Sequence, residues 1–438
     1  MAPVLSAPRR TAGPLLLLLG LTACGADTVH DTSAALTTTA EPEPQATTSP
    51  APTTTGAGDE STGDATTTTT TTTTESSSST TSTASTTTTD PGSTSTTDEP
   101  ATTEPADEPP ADPCAAQDEP PPPVGAPSDT NDDPAFIHVY VNNVENLKLA
   151  DESCAGDWTD LIYYMKTIKP APDVFLVQQV SDTAQLNLLV DRMTDELPDS
   201  YEGIIADGDP WTQGSPCGKE KAKQTNAIIF RKGRFSQVGD KHVWQAWANK
   251  NDACVRNSQA RTRIVMARLH DEVADRHVTV ASVHWSTFQG SGPDPACAEK
   301  NIAEVDTKVH KPGFGGDLVI FGGDFNESDR TEQGDFRKWY RQANGDDDGT
   351  LNYRDPVYRA CQSEGSLLKC LDDQWTIASG RRIDMVFSQD RHGCRTRTRR
   401  AHTIEYNEAD AAAEDITGSD NGSLNYSEHR GIRAEFYY

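Results

Sequence analysis

The chain has 438 residues, with 67 Asp and Glu against 38 Lys and Arg and a formal net charge of −29. Such an excess of acid excludes binding of polyanions through overall charge, so an anionic partner has to be met by a metal ion or a local basic patch. The most conspicuous apolar run, Leu15 to Leu21, is too short to cross a bilayer, which takes roughly 20 residues.

The first residues have the layout of an export signal. Arg9 and Arg10 supply the positive start, Leu15 to Leu21 the apolar stretch, and Leu21-Thr22-Ala23-Cys24 reads as a lipobox. Cleavage before Cys24 would leave its thiol to carry lipid, and two or more acyl chains hold a protein stably on a membrane. An ordinary secretory signal with an incidental cysteine is the alternative. From Gly25 to Asp133 the chain is Thr, Ser, Pro, Ala and acid, with an unbroken run at Thr66–Thr74 and no Lys or Arg. That composition cannot bury enough apolar surface to offset its ordering entropy. Residues 25–133 are therefore expected to be a flexible acidic tether, with a reach of roughly 50–60 Å for about 100 residues. The tether holds 20 of the 67 acids, and Arg9 and Arg10 are the only Lys or Arg before Lys148, which leaves the rest at a net −11.

Residues 134–438 suffice for one large domain with a substantial core. Phe136–Val141 alternates and is rich in β-formers, so it predicts a strand that delivers Asn143. Trp158, Leu161, Ile162 and Met165 fall on one helical face, which Lys169-Pro170 ends. Asp173–Val177 reads as a buried strand ending at Gln178-Gln179, and Leu186, Leu189, Val190, Met193 and Leu197 repeat the helical spacing. Further strands are expected at Ala227–Arg231, Ile264–Leu269, Val278–His284, Leu318–Phe321, Ile383–Phe387 and Gly431–Tyr438, with a helix between Ala298 and Val309. Strands in succession mixed with helices predict an α/β fold of two packed sheets flanked by helices.

Beyond Cys24 there are eight cysteines: Cys114, Cys154, Cys217, Cys254, Cys297, Cys361, Cys370 and Cys394. An even number in an exported chain suggests disulfides. Cys361 with Cys370, closing a short loop, is the pairing we expect. No CxxC spacing points to a structural zinc.

Polar residues that could carry chemistry stand at the ends of the strand-like runs. They are Asn143 and Glu145, Gln178-Gln179, His284, Gly322-Gly323-Asp324-Phe325-Asn326, Arg382-Ile383-Asp384 and Ser427-Glu428-His429. Hydrolysis of a phosphodiester near neutral pH needs an activated water, neutralised phosphoryl oxygens and help for the leaving group. A histidine polarised by a carboxylate supplies the first, and a hard divalent ion on carboxylate and amide oxygens the second.

In its order this series resembles the endonuclease/exonuclease/phosphatase family, metal-dependent phosphodiesterases that include the pancreatic deoxyribonuclease and bacterial sphingomyelinases. The resemblance implies a four-layer sandwich of two mixed β-sheets flanked by helices, with the site at one end of the sheets. It implies His429 as the base, Asp384 as its carboxylate partner, and His284, Asp324 and Asn326 as further catalytic residues. Glu145, Gln179 and Glu428 would hold the metal, Mg²⁺ or Mn²⁺ with Ca²⁺ as a further option. Asn143 and Arg382 would support the site or bind phosphate. The implied activity is phosphodiester hydrolysis, with extracellular nucleic acid as leading substrate, by a monomer lipid-anchored at a bacterial cell envelope, on the outer membrane.

Two positions depart from the family pattern. Gln179 stands where the family has its principal metal-binding Glu, and Glu428 replaces the Asp of Ser-Asp-His. Gln224 falls near the Glu that pairs with the strand-end histidine in secreted deoxyribonucleases. Losing a carboxylate should weaken a magnesium or calcium site, which leaves open a pseudoenzyme that serves as a surface binding module. A sphingomyelinase-like phospholipase C is the other alternative. Arg391, Arg395, Arg397, Arg399 and Arg400 form a basic cluster, either phosphate-binding or a charge-protected edge strand. Trp244 and Trp247 could stack on bases, though packing is the simpler expectation.

Overall fold

The computed structural model describes residues 112–123, 125, 128–144, 159–211, 223–286, 295–377, 379–404, 427 and 429–438. The signal and lipobox with Cys24, residues 25–111 of the tether, Glu145, Cys154, Cys217 and Glu428 lie outside the described residues.

In chain order the strands begin with β1 (Phe136–Asn143), β2 (Val174–Val180), β3 (Tyr201–Ile205), β4 (Thr225–Arg231) and β5 (Phe235–Gln245). They continue with β6 (Trp247–Lys250), β7 (Ala253–Arg256), β8 (Arg263–Asp271), β9 (Arg276–His284) and β10 (Leu318–Asp324). Last come β11 (Asp384–Asp390), β12 (Thr398–Ile404) and β13 (Gly431–Tyr437). The helices are α1 (Thr159–Thr167), α2 (Thr183–Glu196), α3 (Pro295–Val309), α4 (Lys338–Ala343), α5 (Pro356–Gln362) and α6 (Leu367–Asp373). Among the described residues no helix is long and apolar enough to cross a membrane.

One sheet has six strands in the order β12-β13-β1-β2-β4-β3, the other five in the order β11-β10-β9-β8-β5, and β6 with β7 forms a separate hairpin. Both sheets are mixed: β1 runs parallel to β2 and β10 parallel to β9, while the other pairs are antiparallel. Side chains alternate across a strand, so each sheet has two faces to cover. Ile137, Val139 and Val141 of β1 and Leu176 of β2 enter one core with Val265, Ala267, Val280 and Ile320 of the second sheet. Their neighbours Tyr140, Phe175 and Val177 point the other way, onto Leu161, Ile162 and Met165 of α1 and Leu186, Leu189 and Met193 of α2. On the side of the second sheet, α3 contacts β9, and Ile302, Val305 and Val309 join its core with Trp339 of α4. Each Val, Leu, Ile, Phe or Met side chain among them, fully buried, contributes about 1.5–3 kcal/mol. The layers run helix, sheet, sheet, helix, as the strand and helix patterns predict.

The packed chain begins ahead of Pro134, the boundary that composition suggests. Cys114 is disulfide-bonded to Cys394, and Asp118 accepts from buried Arg354 at 2.8 Å. Asn131 is buried, its amide donating to Asp173 at 2.6 Å and to the Phe136 carbonyl at 3.0 Å. Composition misses this strap because it is held by a disulfide and polar bonds rather than by apolar burial. The expected Cys361–Cys370 bond is present, and Cys254–Cys297 ties the β6–β7 hairpin to α3.

Candidate active site

The site forms where strand ends of the two sheets meet. In the second sheet, Asp324 at the end of β10 is in register with His284 on β9 and with Asp384 on β11. Residues directly opposite one another project from the same face, so three ionisable side chains stand in one row. The row needs a glycine beside it. Gly323 has φ +149, and a Cβ there would collide with the Val283 carbonyl oxygen and crowd the Gln178 amide. The six-stranded sheet supplies Asn143 at the end of β1, opposite Gln178 at the end of β2.

His429, just before β13, completes the arrangement. Its Nδ1 lies 2.8 Å from Asp384 Oδ2, its Nε2 3.9 Å from Asp324 Oδ2 and 3.4 Å from Asn143 Nδ2. Asn143 Nδ2 also donates to Asp324 Oδ2 at 2.9 Å, and His284 Nε2 is 3.4 Å from the same oxygen. The second Asp324 oxygen accepts from the Asn326 backbone N–H at 2.7 Å. Asp324, Asp384, His284, Asn143 and His429 are all buried.

Burial fixes the electrostatics. It holds Asp324 above the usual carboxylate range, with the nearby Asp384 adding to the effect. Burial also pushes the His284 imidazole down to about 4, although Asp324 pulls the other way, so His284 is neutral near pH 7. Its Nδ1 has no hydrogen-bond partner among the described residues. A carboxyl held up beside a carboxylate-backed histidine separates a proton acceptor from a proton carrier within one cluster.

The sequence-predicted residues divide. His429, Asp384, His284, Asp324 and Asn143 come together. Asn326 sits beside them in the left-handed region (φ +53), with one amide hydrogen given to the Trp285 carbonyl at 2.8 Å. Gln179, at a bulge in β2 with φ +62, accepts at Oε1 from Gln224 Nε2 at 2.7 Å. Gln224 therefore meets Gln179, not His284. Arg382 is fully buried away from solvent, ion-paired with Asp329 at 2.9 Å and with Asp355, so it supports the strand that carries Asp384. Glu145 and Glu428 are outside the described residues.

Other residues support the site; of these Ser427 belongs to a motif the sequence marks, whereas Thr376 and Arg261 carry no sequence signal of their own. Thr376 Oγ1 accepts from the backbone N–H groups of Ile383 and Asp384, both at 2.9 Å. Ser427 Oγ donates to the Asn143 carbonyl at 2.6 Å and accepts from the His429 N–H at 3.0 Å. Arg261, half-buried, acts electrostatically on both Asp324 and His284. Trp244 is buried in the core, and Trp247 has Arg256 and Lys300 over its ring and donates to Glu304 at 2.7 Å. Both tryptophans are thus used in packing.

The residues present fit a divalent cation. One ligand atom from each of Asp324, Asp384 and His429 lies within 4.8 Å of the others. Two buried carboxylates, one raised by the other, form an arrangement that a cation relieves. Asp384 Oδ1, moreover, is buried with no hydrogen-bond partner among the described residues.

No family model matches the chain, and no curated protein matches it in sequence. Among solved structures the chain is similar to a humanized TDP2 of D. rerio, at 16% identity over 69% of this chain and 99% of that one, with a TM-score of 0.43. It is similar to the human Nocturnin catalytic domain at 16% identity over 69% and 94%, with a TM-score of 0.44. An endonuclease/exonuclease/phosphatase from Bacteroides vulgatus aligns at 13% identity over 69% and 98%, again at 0.44.

Proposed function

We propose that the chain is a phosphodiester hydrolase of the endonuclease/exonuclease/phosphatase type, dependent on Mg²⁺ or Mn²⁺. The observation that carries this reading is His429, backed by Asp384 at 2.8 Å and facing Asp324 across 3.9 Å. Asp384 fixes the imidazole with Nδ1–H toward itself, which directs Nε2 to accept a proton from water and stabilises the imidazolium that forms. The water oxygen then bonds to phosphorus as the ester P–O bond breaks. Asp324, ionised once a cation offsets the burial that raises it, orients the water, and the departing alkoxide takes its proton from solvent. Neutral His284 and the remaining amide hydrogen of Asn326 donate to non-bridging oxygens. Asp324 and Asp384 are the anionic groups that would hold the metal, with Gln179 as a neutral amide ligand. When bound, the metal neutralises phosphoryl oxygens.

Nucleic acid is the substrate class we favour, outside the cell, on a chain anchored through lipid at Cys24. The disulfides support an oxidising compartment. The β6–β7 hairpin leaves the catalytic end of the second sheet, where Gln245 pairs with Arg263. Its tip, Asn249-Lys250-Asn251-Asp252, is polar, whereas a sphingomyelinase-like enzyme would present an apolar element to lipid there.

The test uses the full chain with disulfides formed, supercoiled plasmid and a bis-aryl phosphate, in Mn²⁺, Mg²⁺ or EDTA, beside His429→Ala. Metal-dependent cleavage lost in EDTA and in the variant supports the hydrolase. Turnover equal to that of His429→Ala on both substrates overturns it and favours a binding module.

A further inference from the structure

The arginine cluster of residues 391–400 lies away from the catalytic residues. On β12, Ile404 pairs with Gly431 near His429, whereas Thr398 pairs with Phe436 at the far end of β13. Six residues of strand separate the two, about 20 Å at roughly 3.3 Å each.

At that far end the 112–123 strap, α5 and the start of β12 enclose a cavity of about 360 Å³, within the range of small-molecule sites. Five arginines line it, Arg354, Arg359, Arg397, Arg399 and Arg400, against two acids, Asp118 and Glu119. Not all are spent on the fold. Arg354 is ion-paired with Asp118 and Asp346, and Arg400 with Glu435. Arg359 and Arg397, both half-buried, have no ion-pair partner within 4 Å among the described residues; Arg359 donates to Gln362 and the Asp118 carbonyl and feels the Asp118 and Asp346 carboxylates at longer range. A cationic cavity is therefore built into a chain of strongly negative net charge, and guanidinium groups suit phosphate through paired N–H donors.

We propose that this cavity is a second anion site, which binds a small, multiply charged phosphate compound between Arg359 of α5 and Arg397 at the start of β12. It is independent of the catalytic reading, and the strap that forms one wall of the concave site favours a small solute over a flat membrane surface.

The test labels arginines of the full chain with phenylglyoxal, read by mass spectrometry, with EDTA present so that no metal recruits the probe to the catalytic end. Millimolar pyrophosphate is expected to protect Arg359 and Arg397 and to leave exposed Arg381 reactive. By calorimetry, Arg397→Glu and the Arg359→Ala, Arg397→Ala pair should weaken pyrophosphate binding about tenfold or more, with turnover of the bis-aryl phosphate unchanged. Equal labelling of Arg397 with and without pyrophosphate in the unmodified chain overturns the proposal, whatever the variants do. So does binding that survives in well-folded variants.

Discussion

Gln224 donates to Gln179 across 2.7 Å, joining two neutral amides at the end of β2. Gln179 is already in the left-handed region at a bulge, so the backbone presents this side chain whatever its charge. Gln179→Glu keeps the acceptor for Gln224 and adds a negative charge at the end of β2. Hard cations depend on ligand charge, so Mn²⁺ and Mg²⁺ should bind about tenfold more tightly, roughly 1.4 kcal/mol. Calorimetric titration reads this directly. Unchanged affinity would show that the ion sits away from residue 179.

The His429–Asp384 pair makes a kinetic prediction. Removing the general base in His429→Ala should lower kcat by about 10²–10⁴. Asp384→Asn keeps the shape but cannot favour the imidazolium, so it should lose a comparable factor. Both effects belong in kcat, not KM, because the pair acts as charge develops. A normal kcat in either variant, with the circular dichroism spectrum retained, would remove the pair from the reaction.

Thr376 carries that pair indirectly. Its hydroxyl accepts two buried backbone N–H groups, those of Ile383 and Asp384. Thr376→Val is close in shape and leaves both donors unmet, at about 1–3 kcal/mol for each buried group. Urea denaturation should show a loss of this order, with kcat reduced because the Asp384 backbone is no longer pinned. A variant with wild-type stability would mean that the loop re-pairs those donors.

Much of this was legible before the fold was known, for a definite reason. A strand buried on both faces is a plain apolar run, so a polar residue at its end, such as His284, Asp324 or Gln178, stands out. Other elements lack that contrast. β5 is largely exposed and shifts register between Val238 and His242. β12 is Thr-Arg-Arg-Ala-His-Thr-Ile, with no apolar face until Ile404. The helices α4 to α6 have six or seven residues, too few for a helical period to show. In the site, Thr376 and Arg261 matter through where the chain returns in space. Local sequence does not encode that.

Two histidines, buried His138 and half-buried His402, set how the domain responds to acid. His138 donates from Nδ1 to the Pro170 carbonyl at 2.9 Å. Burial, with Arg433 adding to it, pushes His138 down to about 3, and the same causes push His402 down to about 4. Both folded-state values lie below the ordinary 6.5, so the folded chain binds fewer protons than the unfolded one between these limits. Their contribution is fully present above about pH 6.5 and is lost as pH falls toward 4 and then 3. Each histidine should steepen the decline by about 1.4 kcal/mol per pH unit within its window. His138→Asn can keep a donor for Pro170 but cannot titrate there. It should lower stability near neutrality by leaving a gap, yet fall less steeply between about pH 6 and pH 4.5. Urea midpoints across that range measure the slope. An unchanged slope would show that His138 already meets solvent in the folded chain.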